Sequence, residues 1–282
     1  MNTADAATRI ALLQMTSGIG PADNAKAIVQ AASDAVADGA AMLFTPEMSG
    51  LLDRNRQRGG VHIVAEAANP VLLAVREVAA KTGLWIALGS LAVKREDGRW
   101  ANRSLLVRPD GSVAASYDKI HMFDVDLASG ETWRESNAYA PGDQVVTIED
   151  TPIGRLGLSI CYDIRFPALF EALGQARCNA IAIPAAFTVP TGRAHWHLLQ
   201  RARAVEASAW VVAAAQAGTH ADGRETYGHS LVVDPWGDVM LDLGPDGPAL
   251  GFAMIDPART AEVRAQLPSL YNRRALPTSL TQ

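Results

Sequence analysis

The chain has 282 residues, 49% of them hydrophobic, with 30 acidic against 25 basic side chains and a net charge of −5. That is enough apolar material for one large α/β domain or two modest ones, and too much for a disordered chain. An acidic balance without a basic block argues against a nucleic-acid partner, and no uncharged apolar run reaches the ~20 residues of a membrane span.

The first nine residues lack the basic start and apolar core of a secretion signal. Two cysteines, Cys161 and Cys178, cannot make a disulfide framework, and Cys178 reads as core packing. A reduced, cytoplasmic setting is expected. Residues 10–14 predict a buried strand, residues 24–37 a helix, and Ala41-Met42-Leu43-Phe44-Thr45-Pro46 a second strand. A helix over 71–81 and a strand over 85–88 lead to Ser104-Leu105-Leu106-Val107-Arg108-Pro109-Asp110-Gly111. There an apolar strand enters a turn with Pro second and Gly fourth, the pattern of a hairpin. The series then repeats: strand 155–160, helix 168–176, strand 180–183, helix 198–207, strand 210–215. A second hairpin follows at Ser230-Leu231-Val232-Val233-Asp234-Pro235-Trp236-Gly237.

Helices crossing between apolar strands imply βαβ connections and buried strands. Two such halves without a linker predict one domain over residues 1–282. Its two mixed sheets pack face to face with helices outside, a four-layer α-β-β-α sandwich with two internally similar halves. The stretch 256–282, rich in Pro, Arg and Leu, cannot form a core alone and is expected to drape over the domain or a neighbouring subunit.

Cys161 stands where the strand Leu156-Gly157-Leu158-Ser159-Ile160 ends and a helix opens at Pro167. A thiol at such a turn has backbone N–H groups beside it that can steady a thiolate or an oxyanion. Glu47 follows the second strand at its carboxyl end, Lys119 lies just beyond the first hairpin, and Glu135 precedes Pro141-Gly142-Asp143. Each has an ordinary alternative: a core cysteine, a helix-capping Glu47, a solvated Lys119, a Glu135 paired with Arg134. Ligands gather outside the carboxyl ends of strands in open α/β sheets, so Glu47 and Cys161 should face one crevice.

Together these segments resemble the nitrilase superfamily of carbon–nitrogen hydrolases. Pro46-Glu47, Lys119-Ile120-His121 and Cys161-Tyr162-Asp163-Ile164-Arg165-Phe166-Pro167 match its three motifs in order. Phe187, Thr191-Gly192, Ala194-His195-Trp196 and Tyr227-Gly228-His229-Ser230 resemble its branch of deaminated glutathione amidases and omega-amidases, with His197 standing where that branch usually has Glu. The resemblance implies a nitrilase-like fold and a homodimer or higher homo-oligomer, with no cofactor and no metal. It also implies a Glu47–Lys119–Cys161 triad assisted by Glu135. Cys161 attacks an amide after Glu47 takes its proton, and Lys119 and the Tyr162 N–H hold the oxyanion. Water, activated by Glu47, then cleaves the thioester.

Arg165 is a natural fork for a substrate carboxylate, its alternative being an ion pair with Asp163 or Glu171. Tyr162, Arg165, Phe187, Thr191 and His195 are the expected substrate-binding residues. The expected substrate is a small carboxylate-bearing linear amide, deaminated glutathione first and α-ketoglutaramate second; N-carbamoyl and nitrile hydrolysis use the same triad. A Cys–His hydrolase pairing Cys161 with His195 or His229 leaves Glu47 and Lys119 unexplained. A metal enzyme finds no ligand motif around His195 and His197. A non-catalytic scaffold has no need of all three triad residues.

Overall fold

In β1 (Thr8–Gln14), Ile10 and Leu12 point into one apolar cluster while Ala11 and Leu13 point into another. This is the alternation of a pleated strand buried on both faces. The computed structural model describes residues 6–126, 130 and 132–275. After β1 come α1 (Pro21–Ala37), β2 (Met42–Phe44), α2 (Arg56–Gly60), α3 (Pro70–Thr82), β3 (Trp85–Lys94), β4 (Trp100–Val107) and β5 (Val113–Asp118). A ribbon of β6 (Asp124–Asp126) and β7 (Thr132–Arg134) leads to β8 (Thr147–Thr151). The second series is β9 (Gly154–Leu158), α4 (Pro167–Gln175), β10 (Ala180–Ala182), α5 (Val189–Ala207) and β11 (Trp210–Ala213). It continues through the ribbon β12 (Ala217–Thr219) and β13 (Glu225–Tyr227) to β14 (Leu231–Val233) and β15 (Val239–Asp242). The last elements are β16 (Ala249–Ile255), α6 (Pro257–Gln266) and α7 (Ser269–Asn272).

The strands form two six-stranded sheets of equivalent order, β16-β1-β2-β3-β4-β5 and β8-β9-β10-β11-β14-β15. In each, three parallel strands are flanked by antiparallel ones. Ile28, Ala32, Val71 and Val75 of α1 and α3 cover the outer face of the first sheet. Phe170, Leu173, Ala204 and Ala207 of α4 and α5 do the same for the second. Between the sheets Ile10, Leu12 and Phe44 gather with Leu156 and Leu158. The layers are therefore helix, sheet, sheet, helix. Both hairpins close as expected, with Gly111 and Gly237 in the left-handed region (φ +79° and +94°) that glycine enters at little cost.

Of the strands without a counterpart in the sequence reading, which include the ribbons β6–β7 and β12–β13, two tie the halves together. β8 follows the first series but pairs with β9 of the second. β16 follows the second series but pairs with β1, from Thr8↔Ile255 to Gln14↔Ala249. Helix α5 also starts nine residues before the predicted 198, because Arg193, His195 and His197 interrupt the apolar pattern of its first turns. Beyond Ile255 the described residues lie against α4 and α5. Arg264 donates from Nε to Ser208 O (3.0 Å) and from Nη2 to Cys178 O (2.6 Å), and Arg273 pairs with Glu171. Residues 276–282 of the expected tail lie outside the described residues.

Candidate active site

Glu47 follows β2 after Thr45-Pro46, Lys119 follows β5 directly, Glu135 opens a single 3₁₀ turn after β7, and Cys161 opens another after β9. These ends come together at one side of the sandwich, around a cavity of about 500 Å³. Cys161 sits at φ +47° after an extended Ile160. A left-handed backbone at a non-glycine residue stores on the order of 1–3 kcal/mol and persists only where its surroundings impose it. The surroundings here are specific. Pro184 O accepts the Cys161 N–H (2.9 Å). The buried Asp163 carboxylate accepts the Ile160 N–H (3.0 Å), the Tyr117 hydroxyl (2.6 Å) and the His121 N–H (3.0 Å). Arg203 Nε donates to Ile164 O (2.8 Å) from α5.

Lys119 is 2% exposed, and its Nζ donates to Glu47 Oε1 (3.0 Å) and Glu135 Oε2 (2.9 Å). Burial works against the ammonium, but the charges of Glu135 and Glu47 outweigh it and hold the Lys119 pKa well above its ordinary value. Glu47 is fixed further by the Ala186 N–H on Oε2 (2.9 Å), while Gln216 Nε2 holds its carbonyl (2.9 Å). Burial, and then the negative charge of Glu47, push the Cys161 thiol well above its usual pKa. At rest Cys161 is therefore a neutral thiol beside the Glu47 carboxylate. Burial pushes the Cys178 thiol, far from this cavity in the core of the second half, up to about 11.

Asn102 completes the cluster and was not legible in sequence. Its Nδ2 donates to Glu47 Oε1 (2.9 Å) and Glu135 Oε1 (3.1 Å), so one amide sets the spacing of both carboxylates. The available signal was weak: Asn102 is followed by two more polar residues, Arg103 and Ser104, in the strand Trp100–Val107. Lys119 spends two of its three N–H donors on carboxylates, which leaves one to turn toward the cavity.

Of the expected binding residues, Tyr162, Arg165, Phe187 and Thr191 line the cavity. His195 does not; its Nδ1 lies 3.4 Å from both Arg165 terminal nitrogens, behind the guanidinium. Arg165 packs on the rings of Phe187 (5.5 Å) and Tyr162 (5.9 Å). Neither acid weighed as its ion-pair partner takes it. Asp163 is saturated as described, and Glu171 pairs with Arg273. Among the described residues no carboxylate lies within ion-pair distance of Arg165.

His197 is also accounted for. Its Nε2 pairs with Asp242 Oδ2 (3.0 Å), and His229 Nδ1 lies 2.9 Å from Asp242 Oδ1. Sequence spacing considered only His195 and His197; the fold instead brings His197, His229 and Asp242 within 4.8 Å, outside the cavity. Among the described residues no helix is long and apolar enough to cross a membrane.

Comparison with known proteins agrees with this geometry. The model of the carbon-nitrogen hydrolase family matches residues 9–265. A deaminated glutathione amidase of Yersinia enterocolitica is 40% identical over 94% of this chain and 92% of its own length. The Homo sapiens deaminated glutathione amidase is 36% identical over 94% and 82%. The crystal structure of the C. elegans NitFhit protein superposes with a TM-score of 0.88 at 36% identity, over 96% of this chain and 66% of that one. With the fold, the buried thiol and its charged partners in one cavity, and these matches along nearly the whole length, the chain belongs to the carbon–nitrogen hydrolase family and is an amidase.

Proposed function

We propose that this amidase hydrolyses a small linear amide bearing a carboxylate, deaminated glutathione being the first compound to test and α-ketoglutaramate the second. The observation that carries the reading is Arg165. A guanidinium one turn from the thiol faces the cavity, stacked on two aromatic rings, and both acids that could have neutralised it are engaged elsewhere. A planar fork of this kind suits a carboxylate. Anchoring the substrate there aligns its carbonyl with Cys161, so binding away from the scissile bond serves orientation. The names of the relatives support the same substrate class.

Glu47, Lys119 and Cys161 supply the Glu–Lys–Cys triad general to the family. The Cys161 sulfur attacks the amide carbonyl as its proton passes to Glu47. The oxyanion is held by the remaining Lys119 N–H and by the Tyr162 N–H, since the Cys161 N–H is taken by Pro184. Glu47 returns the proton to the leaving nitrogen, the C–N bond breaks and a thioester remains. Water, deprotonated by Glu47, releases the acid and restores the thiol. Glu135 and Asn102 act through Lys119 and Glu47 as positioning residues.

The two free, buried cysteines suit a reduced cytoplasmic compartment. Self-association fits the exposed Leu198, Val205 and Trp236 on neighbouring parts of α5 and the β14–β15 turn.

The test is kcat/KM, side by side, for deaminated glutathione, α-ketoglutaramate, an N-carbamoyl amino acid and a simple nitrile, in wild type and Arg165→Ala. The carboxylate-bearing amides should win in wild type, and most of that preference should vanish in the variant. A nitrile or carbamoyl winner, or a preference that survives Arg165→Ala, would overturn the reading.

A further inference from the structure

Of the other arginines that line the cavity, Arg224 is the one with a buried side-chain donor that has no partner among the described residues. Arg224, on the turn between β12 and β13, lies with its guanidinium 4.7 Å over the Trp133 ring. Its Nη2 is 3.3 Å from Asp222 Oδ2, but that acid is shared. Asp222 also accepts the Arg54 N–H (2.8 Å) and lies 3.9 Å from Arg54 Nε. Asp53, the neighbouring acid, is held by both Arg58 Nε and Nη2 (2.7 and 2.9 Å). One carboxylate thus serves two arginines, so Arg224 shares its only ion-pair partner among the described residues.

Two donors here are also unused. Arg224 Nε and Trp133 Nε1 are both buried, and neither has a hydrogen-bond partner among the described residues. Buried donors are nearly always paired, and leaving one unmade is costly. Burial holds the Arg224 guanidinium below its ordinary pKa despite the pull of Asp222. The stacked ring and the ion pair explain how Arg224 is held in place. They leave two buried N–H groups, on neighbouring side chains that both line the cavity, without an acceptor.

We infer that Arg224 and Trp133 form a second carboxylate subsite, so that the substrate carries an acid group at each end, one at Arg165 and the other here. An acceptor-only, anionic group is what a guanidinium Nε and an indole N–H, both pure donors, can take together. A cavity of about 500 Å³ lies in the range that encloses a tripeptide-sized ligand, whereas a five-carbon amide would leave much of it to water. The inference rests on the carboxylate-amide reading above and narrows it to linear diacids of the deaminated glutathione type.

The test uses the full-length enzyme and a matched set: deaminated glutathione and its two monomethyl esters, each capping one carboxylate. Wild type should discriminate against both esters. Arg224→Gln should lower kcat/KM for the diacid by about 10–100-fold, mainly through KM, the size expected for a hydrogen-bonded charge. It should abolish discrimination against one ester only, and Arg165→Gln should abolish discrimination against the other. Trp133→Phe, which keeps the ring beneath the guanidinium, should weaken the same discrimination as Arg224→Gln by a smaller factor, and Arg224→Lys should restore part of it. Equal loss on the diacid and both esters would mean a structural role and overturn the subsite, as would discrimination that is unchanged. Should Arg224→Gln fail to fold, unchanged discrimination in Trp133→Phe overturns it. If wild type hydrolyses no member of the set, the carboxylate-amide reading fails and the subsite with it. Hydrolysis with selectivity indifferent to Arg224 defeats the subsite alone.

Discussion

The two halves share one topology but divide the chemistry unequally. Register aligns Met42 of β2 with Ile10 and Trp85, and Ala180 of β10 with Leu156 and Trp210, so Thr45-Pro46-Glu47 corresponds to Ile183-Pro184-Ala185. Where the first half carries the carboxylate, the second has alanine, and its backbone turns to support. Ala186 N–H holds Glu47, and Pro184 O holds Cys161. Conversely, the position after β1 that matches Cys161 is the buried Met15. Lys119 follows β5 in the first half, while β15 of the second ends at the histidine-paired Asp242. The two halves present equivalent frames; Glu47, Lys119 and Cys161 each occupy one of two equivalent positions, and the second-half backbone matching Pro46-Glu47 lies against both Glu47 and Cys161.

If the work is divided this way, losing either first-half group should be ruinous even with the second half's thiol in place. Glu47→Gln and Lys119→Ala should each lower kcat by about 10²–10⁴-fold with the fold intact by circular dichroism. A change confined to KM for Lys119→Ala would refute its oxyanion role.

The frame itself can be broken without touching a charged residue. A Cβ on Gly89 of β3 would come within 2.0 Å of Thr45 O and 2.3 Å of Pro46 O, the backbone that carries Glu47. Gly89→Ala should therefore cost about 10²-fold in kcat through misplacement, together with a lower melting temperature. Full activity would show that this segment tolerates movement.

The alkaline limb of stability sharpens the contrast between the two cysteines' surroundings and the solvent. The folded Cys161 pKa is raised, so the native state keeps a proton that the unfolded chain gives up. Stability from this group is complete below about pH 8.5 and is lost as pH rises above it, by up to about 1.4 kcal/mol per pH unit. Denaturant unfolding between pH 8 and 10 should show a shallower decline in Cys161→Ala than in wild type, and parallel curves would contradict the assignment. The smallest effect is expected at His197. His197→Glu places a carboxylate against Asp242 and should cost no more than about 1 kcal/mol, diminishing with salt, while kcat/KM stays unchanged.

What could be read in sequence was local. The Pro-Glu, Lys-Ile-His and Cys-Tyr-Asp runs each announce themselves within a few residues, and the Pro-Gly turns reveal the repeat. What escaped was built from pairs far apart in the chain. Asn102 meets Glu47 and Glu135 across 55 and 33 residues, and nothing around it marks it as more than a polar residue in a strand. The exchange of β8 and β16 was hidden because β8 is a partly exposed edge strand bearing Glu149 and Asp150, without the apolar run that marks its neighbours. Arg224 lies in the polar turn Asp222-Gly223-Arg224-Glu225, and only the fold shows that it faces the cavity. His197 looked anomalous until β15 brought Asp242 to it.

The central claim is that Cys161 becomes acylated. Peptide mass spectrometry of enzyme quenched during turnover of an amide substrate should find the acyl mass on the peptide containing Cys161, and Cys161→Ala should neither form the adduct nor turn over substrate. An adduct on the peptide containing Cys178, or hydrolysis surviving in Cys161→Ala, would contradict the account.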